Sequence, residues 1–342
     1  MNMTPDPLGA FAQEHPAAPT ISRRTLLIGA ASTALPFSSL AQAAWPDRPV
    51  RFILSQPAGS GPDNVARLLS ERLAKALGQP VVIENKPGGQ NVIGAQAAAT
   101  APPDGSSFYF ATTAALVTNR FLFKSLPYDP RRDFIPVAFI ARSPFGVMVR
   151  GDSAIDSAAT LIARSRATPG KLTLANEGPR TFGGIIARLI NARAAMQANL
   201  VGYASVRAAV QDVVGGHADA VVADLASTAP MIRDGRLRLL AVTSGARETG
   251  WDAVPALAEQ LPGFEMVGWF AVVAPAGTPG AIVERLNREI GTLLRDPELA
   301  QRMRTIGPIA DPLGGPEQLA AFLQREHDRW DRAIQDIGLL PE

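Results

Sequence analysis

The sequence contains no cysteine, which removes disulfides, thiolate nucleophiles and thiolate-bound zinc together. Histidine is almost as scarce. His15, His217 and His327 are the only three in 342 residues, too few and too scattered for a histidine-based metal centre. Neither H-E-x-x-H nor G-x-S-x-G occurs, so no base, nucleophile and orienting group assemble and enzymatic function is not expected. The phosphate-cradling G-x-x-x-x-G-K-[ST] and dinucleotide-binding G-x-G-x-x-G patterns are missing, and no cofactor is expected. Charge is sparse and balanced, with 33 Lys and Arg against 31 Asp and Glu. No basic run marks a nucleic-acid groove. The 46% of hydrophobic residues suffices for a globular core.

The N-terminal segment reads as an address. Ser22-Arg23-Arg24-Thr25 precedes an uncharged apolar run from Leu26 to Leu40, and Ala41-Gln42-Ala43 completes a small-x-small cleavage site. These are the parts of a secretory signal peptide, residues 1–43, with a twin-arginine-like pair. The apolar run is shorter than the roughly 20 residues a spanning helix needs. A soluble, exported product that does not span the membrane is expected.

Downstream, strand-like and helix-like segments alternate. Pro49–Leu54 reads as a strand. Val65, Leu68, Leu69, Leu73, Ala76 and Leu77 form a helical stripe, with Pro62 at its start and Gly78 at its end. Strands are expected at Val81–Glu84, Ser107–Thr112, Phe134–Ile140, Gly146–Arg150, Lys171–Ala175, Leu200–Tyr203, Ala220–Ala223 and Leu237–Thr243. Helices are expected at Asn91–Thr100, Ser157–Ala167, Phe182–Ala195, Val206–Val214, Thr228–Asp234, Gly280–Arg295, Pro297–Ile306 and Pro316–Asp336. Such alternation predicts an α/β fold with mostly parallel sheets flanked by helices. His217 reads as a surface turn residue, and His327, within Arg325-Glu326-His327-Asp328-Arg329, as part of a solvated helix face.

Two strand–loop–helix junctions carry the candidate chemistry. In Ala58-Gly59-Ser60-Gly61-Pro62-Asp63, glycines let backbone N–H groups converge at the positive end of a helix, a setting for carboxylate or phosphate. A plain tight connection explains the same residues. The second junction, Asn176 to Thr181, places Arg180 at a helix N-terminus, where a cation opposes the dipole. Either Glu177 or an anionic ligand would compensate it, and a ligand role for Arg180 is the expectation. Asp224 either caps the following helix or contacts ligand.

Many spaced segments together resemble the substrate-binding receptors of tripartite tricarboxylate transporters, the Bug-type family. They include Trp45-Pro46-Asp47-Arg48-Pro49-Val50, Pro57-Ala58-Gly59 with Asp63, and Glu84-Asn85-Lys86-Pro87-Gly88-Gly89. Pro103-Asp104-Gly105, Pro127-Tyr128-Asp129-Pro130 and Pro275-Ala276-Gly277-Thr278-Pro279 follow in the same order. The resemblance implies a two-lobed periplasmic binding protein fold, type II-like. Lobe 1 would comprise 44–143 and 268–342, and lobe 2 would comprise 144–267. It also implies a monomer that closes around a small carboxylate and delivers it to transporter membrane subunits. A sensing receptor or, less in keeping with the residues, a secreted enzyme are the alternatives. The positions it carries over are Ala58, Gly59, Asp63, Gly178, Thr181, Tyr203 and Asp224, and with Ser60, Gly61, Arg180 and Ser205 from the loops themselves they make the expected ligand-binding set. The chain departs from the family within these loops. Gly59-Ser60-Gly61-Pro62 stands for the usual Gly-Gly-Ser-Thr, and Gly178-Pro179-Arg180-Thr181 for Gly-x-Gly-Thr. Gly202-Tyr203-Ala204-Ser205-Val206 replaces the common Pro-Tyr-Lys-Gly-Ser.

Overall fold

The computed structural model describes residues 45–341, and the signal-peptide expectation lies outside them. The chain opens with β1 (Val50–Leu54), α1 (Gly61–Leu77), β2 (Val81–Asn85), α2 (Val92–Ala99), β3 (Ser107–Thr112) and α3 (Asn119–Leu122). A long strand, β4 (Phe134–Arg150), leads to α4 (Ala158–Ala167), β5 (Thr173–Asn176), α5 (Phe182–Arg193) and β6 (Asn199–Gly202). Next come α6 (Val206–Val214), β7 (Ala220–Asp224), α7 (Leu225–Arg233) and β8 (Leu237–Val242). The chain finishes with β9 (Val267–Pro275), α8 (Gly280–Leu294), α9 (Pro297–Thr305), β10 (Ile309–Ala310) and α10 (Pro316–Asp336).

Local chemistry sets many of these boundaries. Pro62 sits in the first turn of α1, and Gly78 ends it in the left-handed region at φ +69°. Side chains of Ser157, Thr181, Ser205 and Asp224 each accept an N–H in the first turn of the helix they precede.

The strands pair as two sheets that share β4. The first runs β2-β1-β3-β9-β4, with β10 on the far side of β4. The second runs β6-β5-β7-β4-β8. The β1–β2, β1–β3, β5–β6 and β5–β7 pairs are parallel, as the alternating pattern predicts. The remaining pairs, all through β4 or β9, are antiparallel, so both sheets are mixed.

Two differences from the sequence reading concern β4 and its neighbour β9. Two strands, Phe134–Ile140 and Gly146–Arg150, were expected, yet β4 is continuous. The chain changes partner there instead: Pro144 lies opposite Val267 of β9, and Phe145 opposite Asp224 of β7. Proline, lacking an N–H, is tolerated where the ladder is being exchanged. The strand β9 was not anticipated. All nine of its residues are buried, so it shows none of the alternation that betrays a half-buried strand.

Val50, Phe52 and Leu54 of β1 pack with Leu69 and Leu73 of α1 and with Leu286 and Ile290 of α8 on one side of the first sheet. A larger core continues past the shared strand, through Phe139, Phe145, Trp269, Phe182 and Trp330. The face of α10 that carries Leu319, Glu326, His327 and Trp330 is turned into this junction. Both Glu326 and His327 are therefore buried, which corrects the expectation of a solvated face. Their charged neighbours Arg325 and Asp328 remain exposed and had masked the inward stripe. Trp269 Nε1 donates to Glu326 Oε2 at 2.8 Å. His217 is exposed, as expected.

Candidate functional site

The β1–α1 loop starts from a buried hydroxyl pair. Ser55 donates to the Asn91 carbonyl at 2.9 Å, leaving its oxygen to accept from Tyr109 at 2.5 Å. Gln56 Nε2 donates to Asn91 Oδ1 at 2.7 Å and Thr112 Oγ1 at 3.3 Å. Gln90 and Asn91 are held at positive φ (53° and 77°), an unusual conformation for non-glycine residues. Asn119, itself buried, donates to the Gln90 carbonyl at 2.9 Å and helps fix that bend.

Asp63 braces the same loop from within α1. Its carboxylate accepts from Gly59 N–H at 2.8 Å, Arg67 Nε at 2.8 Å and Asn85 Nδ2 at 2.9 Å. Burial pushes its pKa up, but the hydrogen bonds from Arg67, Gly59 and Asn85 prevail and hold it below the usual carboxylate range. Gly59 turns at φ +78°, and Ala58 is exposed beside it. Ser60 precedes α1 without capping it. Its Oγ and Gln56 Oε1 are buried and find no partner among the described residues.

The β5–α5 loop is built around Asn176, whose Oδ1 accepts from Gly178 N–H at 2.9 Å while its carbonyl accepts from Tyr203 N–H at 2.8 Å. Gly178 lies at φ +124°. Gly184 is required, because a Cβ there would stand 1.9 Å from the Gly178 oxygen. Thr181 caps α5 by accepting from Gly184 N–H at 3.2 Å. Glu177 accepts from Gly183 N–H at 3.2 Å, in the first turn of the same helix. Arg180 donates to the Leu122 carbonyl at 2.8 Å and the Leu340 carbonyl at 3.3 Å. Backbone carbonyls thus supply partial negative charge beside this cation, a class of partner that sequence analysis did not weigh.

These two loops meet a third helix start. A Cβ on Gly61 would lie 2.7 Å from Ala226 Cβ and 3.1 Å from Asp224 Oδ1, so the N-terminus of α1 sits directly on that of α7. Gly307 approaches the Leu225–Ala226 peptide as closely, with a notional Cβ at 2.6 Å. Asp224 caps α7 by accepting from Ser227 N–H at 2.8 Å, and it lies opposite Phe145 where β4 changes sheets. Burial raises the pKa of Asp224. Glu177 is pushed up to about 7, first by burial and then by the charge of Asp224. The starts of α1, α5 and α7 therefore converge beside the shared strand.

Not all the sequence candidates share this junction. Gly61, Ser60, Gly178, Thr181 and Asp224 lie on its three loops. Tyr203 contributes main chain to the second loop, but its hydroxyl bonds Asp212 of α6, which raises its pKa. Ser205 is exposed and caps α6 by accepting from Ala208 N–H at 3.2 Å. Gln56, Asn91 and Tyr109 were missed. Their roles depend on contacts between β1, β3 and the β2–α2 loop, for which local spacing carries no signal.

Contacts far apart in sequence cross between the two sheets' segments. Arg233 of α7 donates to the Thr305 and Arg304 carbonyls at the end of α9. Arg142 pairs with the buried Glu248 at 2.9 Å, and Arg193 of α5 with Asp336 of α10 at 2.8 Å.

Two mixed sheets joined through a shared strand, with helix N-termini converging at the crossing, define the class of two-lobed solute-binding proteins. Residues 65–339 match the family described as the tripartite tricarboxylate transporter family receptor, and the chain belongs to that family. Protein BugT of Bordetella pertussis is 32% identical over 92% of this chain and 95% of its own length. Among solved structures, Rpa4515 of R. palustris with adipate is 31% identical, covering 87% of this chain and 100% of that one, with a TM-score of 0.81. MatC of Rhodopseudomonas palustris with bound malate is 27% identical, covering 85% and 100%, with a TM-score of 0.76.

Proposed function

We propose that this protein is a periplasmic receptor that captures a small carboxylate between two lobes and hands it to the membrane subunits of a tripartite transporter. Lobe 1 is taken as 44–143 with 268–342, lobe 2 as 144–267, and residues 1–43 as a leader removed on export. The receptor works as a monomer in this reading. No helix among the described residues is long and apolar enough to cross a membrane, in keeping with a partner that supplies the membrane path. The observation that carries the reading is the bare start of α1. Its first-turn N–H groups and the buried Ser60 hydroxyl have no capping side chain, whereas α5 and α7 are capped by their own residues. A carboxylate there accepts from the Ser60 hydroxyl and from the first-turn N–H groups that remain, Pro62 having none and Asn64 bonding the Ser60 carbonyl, and it meets the positive end of the helix dipole. Adipate and malate in the two solved relatives support the ligand class.

The test is titration calorimetry of residues 44–342 against a panel of carboxylates and the corresponding uncharged amides. One-to-one binding of a carboxylate, absent for its amide, is expected. Binding of the amides with equal affinity contradicts the assignment.

A further inference from the structure

We infer that the far end of α5 is a docking surface for an acidic segment of a partner protein, seated in a cleft between α5 and α10. This surface is separate from the three converging helix starts. Arg193 closes α5 about 17 Å along the axis from Phe182, its first residue. A negative result here therefore leaves the receptor reading standing.

The cleft has a volume of about 390 Å³. Leu189 and Arg193 of α5, Phe264 and Met266 before β9, and Arg329 and Arg332 of α10 wall it. In the lobe division proposed above, α10 belongs to one lobe and the other two walls to the other. Arg193 pairs with Asp336 at 2.8 Å, and Arg329 reaches Glu265 and the buried Glu326 at 3.5 Å each. Arg332 is exposed and has no ion-pair or hydrogen-bond partner among the described residues. Three arginines thus line the cleft with two exposed acids, Glu265 and Asp336. Exposed pairs of this kind hold weakly and exchange for a carboxylate brought from outside.

The charge around the cleft has the same sign. Residues 157–211 carry seven Lys or Arg against a single acid, Glu177, which is bonded at the opposite end of α5. The whole chain is nearly balanced, with 33 basic residues against 31 acidic. The fold gathers part of this excess beside Arg193. Arg166 of α4 donates to the Ala194 carbonyl at 2.9 Å, and Gln197 N–H donates to Ser165 Oγ at 3.1 Å. Gly170 N–H donates to the Gln197 carbonyl at 2.7 Å. The end of α4 and the turn after it therefore lie against the end of α5, with Arg164 and Lys171 exposed. A helix C-terminus attracts cations on its own, but it does not exclude acids from the neighbouring turns.

Recess and charge together select the occupant. Carboxylates of an extended peptide enter the cleft and pair bidentately with guanidinium groups, whereas a flat anionic membrane meets only the rim.

The probe is a fluorescein-labelled hexaglutamate amide, followed by anisotropy at low salt with the protein purified from periplasm. Saturable one-to-one binding is expected. Arg329→Gln with Arg332→Gln should weaken it at least roughly fivefold. Arg332→Gln alone breaks no pair within the protein, so it keeps the test sound if the double variant misfolds. It should weaken binding roughly twofold to threefold. Arg288→Gln with Arg302→Gln removes the same charge from exposed positions on α8 and α9 and should change binding less than roughly twofold. Equal weakening by the two double variants reduces the effect to net charge and overturns the inference. Absence of peptide binding overturns it as well. Displacement of the peptide by phosphatidylglycerol vesicles overturns the choice of a protein partner.

Discussion

Single buried polar groups govern how this protein responds to pH and how its first loop is held. Asp63 ties Gly59, Arg67 and Asn85 together from an almost fully buried position. Asp63→Ala leaves Gly59 N–H and Asn85 without that acceptor and should cost about 1–3 kcal/mol. Urea unfolding measures this, and an unchanged midpoint contradicts the bracing role. His327 has its pKa lowered to about 4 by burial and by Arg131 and Arg120. The unfolded chain takes up that proton near pH 6.5, so stability from the neutral imidazole is full above 6.5 and is lost as pH falls toward 4. Glu177 works in the opposite sense. With its pKa raised to about 7, its favourable contribution is present below about 4.5 and lost as pH rises through 7. Thermal melts should accordingly show Glu177→Gln more stable than wild type at pH 8 and nearly equal at pH 4. His327→Gln should lose less stability between pH 7 and pH 5 than wild type does. An identical pH dependence in all three proteins contradicts both assignments.

Elements were legible where the sequence had to signal locally. Pro62 and Gly78 mark both ends of α1, and Ser157, Thr181 and Ser205 stand where helices begin because capping is a short-range interaction. Elements defined by remote partners were not legible. β9 is buried along its whole length and so lacks a period, and β4 is one strand only because β9 and β7 take over from each other at Pro144–Phe145. The candidate site divides in the same way. Gly59, Gly178 and Asp224 follow from turn and cap chemistry, whereas Gln56 and Asn91 matter because separate segments meet. Arg180 was recognised as a cation needing compensation, but its partners Leu122 and Leu340 lie in other parts of the chain. The docking of α1 on α7 supplies a test at this scale. Gly61→Ala places a methyl group 2.7 Å from Ala226 Cβ, between two backbones that have little room to part. Solute affinity should fall at least roughly tenfold with the circular dichroism spectrum unchanged. Unaltered affinity contradicts the view that this contact accompanies binding.

For the whole molecule, the shared strand explains how two sheets act as one receptor. Residues 134–144 belong to the first sheet and 145–150 to the second, so a change in their relative twist moves the β1–α1 loop with respect to the β5–α5 loop. Contacts made by Arg233, Arg193 and Arg180 span the same division and belong to the closed arrangement in this account. In the proposed reading, a hinge at this strand gives a ligand differential contacts with two states. The most direct measurement is native mass spectrometry of the protein as purified from periplasm, followed by denaturation and identification of any released solute. The account predicts one small carboxylate per chain, released intact and rebinding on dialysis. A bound species without a carboxylate, or one returned chemically altered, contradicts it.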